Sequence, residues 1–179
     1  MNTHEILIAG FGGQGVLFMG KFVAYKGMLE GKQVSWLPSY GPEMRGGTAN
    51  CSIIISDLPV GSPIVSTPDI LIAMNGPSLE KYEDTVKTGG TIIYDSALIT
   101  QTVKRQDVNV FPLPATKLAS DNGYPTLSNM MLLGTLLEHT DAIHVEGLEE
   151  ALEKVVSARK KALIGVNKEA IEAGRAYRG

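Results

Sequence analysis

The chain has 179 residues, a formal net charge of −3 and a single cysteine, Cys51. Its length predicts one domain over residues 1–179, and its charge excludes the basic field that would attract nucleic acid or a membrane surface. One thiol excludes an internal disulfide and disfavours a self-contained iron–sulfur cluster, which usually needs four thiolates, and three histidines without ligand spacing disfavour a self-contained metal site.

Short apolar runs alternate with helical patterns along most of the chain. The runs stop at glycine or polar residues, which is typical of parallel strands buried on both faces. In chain order, the patterns predict a strand at 5–9, a helix from 16 to a stop at Gly31, strands at 34–37, 51–55 and 70–73, a helix at 78–87, strands at 91–94 and 108–113, and helices at 127–137, 148–161 and 167–177. This alternation predicts an α/β fold, a three-layer Rossmann-like domain with a mainly parallel sheet.

The segments between these elements are also informative. A loop is predicted from Ser39 to Gly47, and three prolines predict an irregular surface segment at 57–69, because proline lacks a backbone donor. In the helix 148–161, the basic residues 159–161 would lie in the last turn, where they suit the helix dipole. No apolar run reaches the roughly 18 residues of a membrane helix, and the N-terminus has no basic, signal-like start, so we expect a cytoplasmic protein.

A glycine-rich turn follows the first predicted strand. Gly10, Gly12 and Gly15 match the pattern G-x-G-x-x-G between a strand and a helix, with an additional Gly13 and with Gln14 inside the turn. Such a turn lets a phosphate approach the free N–H groups at the helix start. The alternative is a tight turn packed against another backbone, and the sequence leaves both open.

A stand-alone nucleotide-binding module is the first competing hypothesis. A dinucleotide fold places an Asp or Glu at the end of the second strand, where it binds the ribose hydroxyls. Here that strand ends in Leu37-Pro38-Ser39-Tyr40, without a carboxylate. The sequence therefore disfavours a site for NAD or FAD.

The segment from Ser39 to Gly47 is a second candidate for ligand contact. Arg45 has the planar guanidinium that binds phosphate or carboxylate, and the Ser39 hydroxyl would lie near the glycine turn. Alternatively, the segment is an ordered turn in which Glu43 and Arg45 face water or a neighbouring subunit.

Other polar residues at strand ends have structural explanations. Asn75 or Ser78 is expected to cap a helix. Asp95 is equally a local cap or a ligand contact, and Asn129 is expected to be a satisfied structural amide. Because no nucleophile motif comes with a matching histidine and no carboxylates are paired by spacing, we predict no catalytic residue in this chain.

Four segments carry a recognisable combined pattern. They are Ile8–Val16, Ser39–Gly47, Asp69–Asn75 and Gly89–Ser96. Together they resemble the gamma subunit of the 2-oxoacid:ferredoxin oxidoreductases. The likeness extends over nearly the whole chain, including 129–137, and the two glycine-bearing motifs in this order are more specific than either alone.

The resemblance implies a subunit without catalytic groups of its own, in a complex with alpha, beta and, where present, delta subunits. Such complexes oxidatively decarboxylate a 2-oxoacid, attach the acyl group to coenzyme A and pass electrons to ferredoxin. Thiamine diphosphate, Mg²⁺ and the iron–sulfur clusters belong to other components, so this chain is expected to hold no cofactor alone. By resemblance to gamma chains that are encoded separately, the predicted substrate of the complex is 2-oxoglutarate or a branched-chain 2-oxoacid.

The resemblance also suggests where this subunit meets its surroundings. The candidate residues for contact with coenzyme A or a neighbouring subunit are Gly10, Gly12, Gly13, Gln14, Gly15, Ser39 and Arg45. A purely structural subunit, with glycine loops used for packing, is the second competing hypothesis. An isolated chain is expected to cover its partner-binding surface by forming a homo-oligomer.

Overall fold

The computed structural model describes residues 2–40 and 48–179. Its strands are β1 (Thr3–Phe11), β2 (Gln33–Tyr40), β3 (Thr48–Ser56), β4 (Ile70–Ala73), β5 (Thr91–Asp95) and β6 (Asn109–Leu113). Its α-helices are α1 (Val16–Leu29), α2 (Gly76–Tyr82), α3 (Ala115–Asp121), α4 (Ser128–His139), α5 (Leu148–Val155) and α6 (Ile164–Ala176), with 3₁₀ segments at Glu83–Thr85 and Ala158–Leu163. None of the helices in these two ranges is long and apolar enough to cross a membrane.

Every predicted strand is present, and most are longer than expected. β2 continues to Tyr40 because Ser39 and Tyr40 pair with Asn50 and Ala49 of β3. The predicted loop from Ser39 to Gly47 is therefore wrong at its first two residues, which belong to a strand. The remainder of that loop, 41–47, lies outside the described residues.

Helix α3 has no counterpart among the predicted elements. It follows Pro114, has 7 residues and buries two alanines, Ala115 and Ala119. An apolar pattern this short does not distinguish a helix from a loop.

The predicted helix 148–161 is wrong at its C-terminal end. α5 ends at Val155 because Val156 and Ser157 adopt extended backbone, with ψ angles of 127° and 152°. Valine and serine are weak helix formers, so this break has a local cause. The basic residues 159–161 consequently lie on an exposed 3₁₀ segment and not in the last turn of a helix.

The sheet has the strand order β2-β3-β1-β4-β5-β6. β3 is antiparallel to both of its neighbours, and the pairs β1–β4, β4–β5 and β5–β6 are parallel. The mainly parallel α/β sheet is therefore confirmed. The carboxyl ends of the parallel strands share one edge, which we call the glycine-turn edge.

The two faces of the sheet are covered unequally. On one face, Ile6 and Ile8 of β1 belong to a large core with residues of α1, α4, α5 and α6. On the opposite face, Leu7 packs in a smaller core with Leu79 of α2 and Ile99. The fold thus has the predicted three layers, and one helical layer is much larger than the other.

Both edge strands of the sheet contain a proline. Pro38 lies in β2 and Pro112 lies in β6. Because proline has no N–H to donate, a strand that contains it is a poor template for a further strand. Partners are therefore expected to bind faces or loops of this fold and not to extend its sheet.

Helices α4 and α6 cross at backbone contact distance. A Cβ atom at Gly134 would lie 2.1 Å from the Ile171 carbonyl oxygen, and one at Gly174 would lie 1.9 Å from the Met131 carbonyl oxygen. Glycine is required at both positions because any side chain would separate the two helices.

Candidate functional site

The candidate site lies where the chain changes face of the sheet. β1 leads into α1 on the large-core face, whereas β4 leads into α2 on the opposite face. The two strands are neighbours, with Ala9 beside Ala73 at their carboxyl ends. In open α/β sheets this switch point forms the crevice where ligands bind, and the glycine turn 11–15 lies there.

The side chain of Gln14 closes the glycine turn from within. Its Oε1 accepts a hydrogen bond from the Phe11 N–H at 2.6 Å, and its Nε2 donates to the Met74 carbonyl oxygen at 3.0 Å. A Cβ atom at Gly10 would lie 2.6 Å from Gln14 Oε1, so glycine makes room for this amide. The Gln14 amide thus lies inside the turn, and the second strand ends without a carboxylate; both observations argue against a stand-alone dinucleotide module.

Gly15 and Asn129 join the starts of two helices. Gly15 precedes α1 with a φ of 77°, and Asn129 Nδ2 donates to its carbonyl oxygen at 3.2 Å. Asn129 Oδ1 accepts from the Met130 N–H at 2.9 Å, so both ends of the amide are paired, as expected for a structural residue. A Cβ atom at Gly15 would lie 2.3 Å from Asn129 Nδ2.

A cavity of about 420 Å³ opens beside this junction. We call it the α1–α4 pocket; its lining includes Gly15, Phe18, Leu127, Asn129, Lys160 and Asn167. The residues that precede the two helices, Gly15 and Leu127, make no side-chain capping bond, although Asn129 satisfies one N–H in the first turn of α4. Helix starts carry partial positive charge, and Lys160 adds a full one, so the pocket combines an apolar wall with an environment suited to an anion.

One of the candidate residues, Ser39, lies away from this pocket. Ser39 is exposed in β2, two strands from β1, in register with Asn50 and Ala9. Arg45 lies outside the described residues. The strand ends that flank 41–47 are at the glycine-turn edge, since Thr48 pairs with Phe11.

The other polar residues at strand ends act as caps. Asp95 is fully buried and accepts hydrogen bonds from the Ala97 N–H at 3.0 Å and from the Thr116 N–H and hydroxyl at 3.1 and 2.5 Å. Asn75 Oδ1 accepts from the Ser78 N–H at 2.8 Å. Asp95 is therefore a local cap that joins β5 to α3, and Asn75 caps α2 as expected.

Cys51 is buried in β3 beneath α1. Its thiol donates to the Val16 carbonyl oxygen at 3.7 Å, and a Cβ atom at Gly20 would lie 2.3 Å from its Sγ. Burial raises the pKa of the Cys51 thiol to about 12, against a smaller opposing effect of its hydrogen bond with Trp36. A thiol in this state is a poor nucleophile and a poor metal ligand. Across residues 2–40 and 48–179, no group of three or more His, Cys, Asp or Glu side chains is placed to hold a metal ion.

We expect Cys51 to resist iodoacetamide in the folded protein near neutral pH and to react once urea unfolds the chain. Stability should also fall as pH rises above about 9, because the unfolded thiol ionises there while the folded thiol stays protonated to about 12. Mass spectrometry of the labelled protein tests the first effect, and comparison with Cys51→Ala isolates the second. Rapid labelling of the native protein would contradict this assignment.

The residues predicted from the sequence do not include those that line the far wall of the α1–α4 pocket. Lys160 and Asn167 reach it only because α5 ends early and the following 3₁₀ segment turns back toward α1. The run of basic residues 159–161 was the one signal in the sequence that could have indicated an anion site there. Its interpretation as the last turn of a helix placed Lys160 in that helix and not beside the pocket.

Comparison with known proteins identifies the family. The model of the family "Pyruvate ferredoxin/flavodoxin oxidoreductase" matches residues 5–177. The chain belongs to this family. The ketoisovalerate oxidoreductase subunit VorA of Methanothermobacter thermautotrophicus is 42% identical over 171 residues, which cover 95% of this chain and 35% of VorA. This member of the family thus spans about a third of the length of the VorA relatives it matches.

Two solved structures share the fold of this family member. The gamma subunit of a keto/oxoacid ferredoxin oxidoreductase from Geobacter sulfurreducens has a TM-score of 0.81 and 29% identity, and the match covers 96% of this chain and 95% of that one. The 2-oxoglutarate:ferredoxin oxidoreductase from Magnetococcus marinus, with 2-oxoglutarate, coenzyme A and succinyl-CoA bound, has a TM-score of 0.87 and 26% identity over 98% of this chain and 31% of that one. The resemblance to the gamma subunits is confirmed.

Proposed function

We propose that this chain is the gamma subunit of a 2-oxoacid:ferredoxin oxidoreductase. The complex would convert a 2-oxoacid and coenzyme A into acyl-CoA and carbon dioxide and pass the released electrons to ferredoxin. Alpha and beta subunits, and a delta subunit where present, would hold thiamine diphosphate, Mg²⁺ and the iron–sulfur clusters. The family match over residues 5–177 is the observation that carries this proposal.

The chemistry of this chain supports a role that is not catalytic. Its one thiol is buried and protonated, and the carboxylate of Asp95 is fully engaged as a cap. Ketoisovalerate and 2-oxoglutarate are the substrates to assay first, because they appear in the names of its relatives.

Within the complex, we assign the α1–α4 pocket to the entry path of coenzyme A. Coenzyme A carries phosphates that suit the start of α1 and Lys160, and an apolar arm that suits Phe18 and Leu127. Gly12 and Gly13 extend the same edge toward a neighbouring subunit, with Ser39 and Arg45 as further candidates. The glycine turn itself, closed by Gln14, serves as a rigid support for the pocket.

Replacement of Lys160 or Arg45 by alanine should raise the KM of the complex for coenzyme A. A lost charge-assisted hydrogen bond to phosphate is worth about 1.5–3 kcal/mol, so Lys160→Ala and Arg45→Ala should each raise the KM for coenzyme A by about tenfold or more. Steady-state assays of the purified complex at saturating 2-oxoacid measure this effect, with kcat expected to change little.

Lys117→Ala provides the matched control, because Lys117 is an exposed lysine of α3 paired with Asp121. Its KM should equal that of the wild type. The pocket assignment fails if Lys160→Ala leaves the KM for coenzyme A unchanged, and the assignment of Arg45 fails if Arg45→Ala alters neither that KM nor assembly. A purely structural role for the glycine turn would then be favoured.

A further inference from the structure

The sequence contains two Asn-Gly pairs, Asn75-Gly76 and Asn122-Gly123. Because glycine has no Cβ atom, its backbone nitrogen reaches the side-chain carboxamide of a preceding asparagine more readily than that of any other residue. Attack of this nitrogen on the carboxamide closes a five-membered succinimide ring and releases ammonia. The two pairs share this chemistry, and the structure places them in opposite environments.

The Asn122-Gly123 pair lies on the surface, directly after α3. Both residues are exposed, and Asn122 is the C-terminal cap of the helix. Gly123 has a φ of 83°, and apart from its chain neighbours no described residue lies within 4 Å of a Cβ atom built there. Water and hydroxide therefore have access to the carboxamide and to the backbone nitrogen that would attack it.

Only the last turn of a short helix holds this pair in place. The Gly123 N–H donates to the Ser120 carbonyl oxygen at 3.1 Å, and the Asn122 Nδ2 donates to the Leu118 carbonyl oxygen at 2.8 Å. The ψ angle of Asn122 is 3°, so the attack requires rotation about this bond, which also frees the Gly123 N–H. Because α3 has 7 residues and its end is exposed, this turn opens at low cost.

The Asn75-Gly76 pair is enclosed by the protein. Asn75 is 2% exposed, and its Oδ1 accepts from the Ser78 N–H at 2.8 Å. The Gly76 carbonyl oxygen accepts from Gln101 Nε2 at 3.3 Å, and a Cβ atom at Gly76 would lie 3.1 Å from that side chain. Ring closure passes through an oxyanion on the carboxamide, and a buried charge without a partner is costly. This pair is therefore protected in the folded chain.

We propose that Asn122 is a site of spontaneous deamidation in the folded protein. Hydroxide removes the proton of the Gly123 nitrogen, which attacks Asn122 Cγ. The new N–Cγ bond replaces the Cγ–Nδ2 bond, and Nδ2 takes a proton from water and leaves as ammonia. Water then opens the succinimide at either carbonyl carbon, which leaves aspartate or isoaspartate at position 122.

The modification changes the end of α3. A carboxylate cannot donate to the Leu118 carbonyl oxygen as the Asn122 amide does. It also places negative charge at the end of a helix where the dipole is already negative. Isoaspartate adds one methylene group to the backbone as well, so the last turn of α3 is expected to be lost in the modified chain.

The test follows both pairs in the full-length chain at neutral and at mildly alkaline pH. Peptide mass spectrometry measures deamidation at each position, and an isoaspartyl methyltransferase assay measures isoaspartate. We expect Asn122 to convert at least about tenfold faster than Asn75, which corresponds to about 1.4 kcal/mol in the free energy of local opening. Both rates should rise with pH, and in urea the two pairs should convert at similar rates.

Two substitutions at position 122 isolate the reaction and its effect. Asn122→Gln keeps an amide donor but requires a larger ring, so ammonia release at this position should cease. Asn122→Asp reproduces one product and should lower the melting temperature by about 2–4 °C, the shift that one lost hydrogen bond causes in a chain of this length. The proposal is overturned if Asn122 stays intact in the folded chain while it converts in urea, or if both pairs convert equally in the folded chain.

Discussion

Gly174→Ala is expected to destabilise the protein by about 3 kcal/mol, at the upper end of the usual cost of overpacking a core. The new Cβ atom would lie 1.9 Å from the Met131 carbonyl oxygen and 2.7 Å from its carbonyl carbon, which are backbone atoms of α4. No rotamer change relieves this conflict, so α6 must move away from α4 and open the larger core. A loss of this size lowers the melting temperature by about 10 °C in a chain of this length.

A second glycine of the same helix is the control for this substitution. Gly165 is exposed near the start of α6, and nothing lies within 4 Å of a Cβ atom built there. Gly165→Ala should leave stability unchanged or raise it by up to about 1 kcal/mol, since alanine is the better helix former. Thermal and urea unfolding of both variants measure the difference. Equal stability of the two variants would show that α4 and α6 do not cross as described.

Gly15→Ala should lower the free energy of unfolding by nearly as much as Gly174→Ala does, for two separable reasons. Gly15 has a φ of 77°, a left-handed conformation that costs a residue with a side chain about 1–2 kcal/mol. The added Cβ atom would also lie 2.3 Å from Asn129 Nδ2 and displace the amide that joins α1 to α4. We expect a total loss of about 3 kcal/mol, with the steric part similar in size to other overpacked sites.

A double-mutant cycle separates the two causes. In an Asn129→Ala background the steric conflict is absent, so Gly15→Ala should cost only the backbone part, about 1–2 kcal/mol. Urea unfolding of the four proteins gives the coupling energy. If Gly15→Ala costs the same in both backgrounds, the contact between Gly15 and Asn129 contributes nothing to stability.

The strands were predictable because each is marked by a run of apolar residues within the strand itself. Runs such as Ile70–Ala73 and Thr91–Asp95 are fully buried, and burial on both faces requires continuous apolar residues. The capping role of Asn75 and the satisfied structural amide of Asn129 follow equally from position, since each lies at the start of a helix. Helix α3 has no comparable apolar pattern, because it buries only two alanines, whose small side chains do not define an apolar face.

The details of the candidate site depend on contacts that the sequence does not record. The bridge from Gln14 to the Met74 carbonyl joins residues 60 positions apart, so the glycine motif looks the same whether its turn is open or filled. Lys160 reaches the α1–α4 pocket only after the break at Val156 redirects the chain. The fold was thus accessible from local patterns, whereas the site required the long-range packing.

The prolines of the two edge strands bear on how copies of this chain can associate with one another. An open strand edge would let copies of this chain polymerise edge to edge. Pro38 and Pro112 interrupt the donor rows at both rims of the sheet. Edge-to-edge polymerisation of this chain is therefore disfavoured, even where its concentration is high.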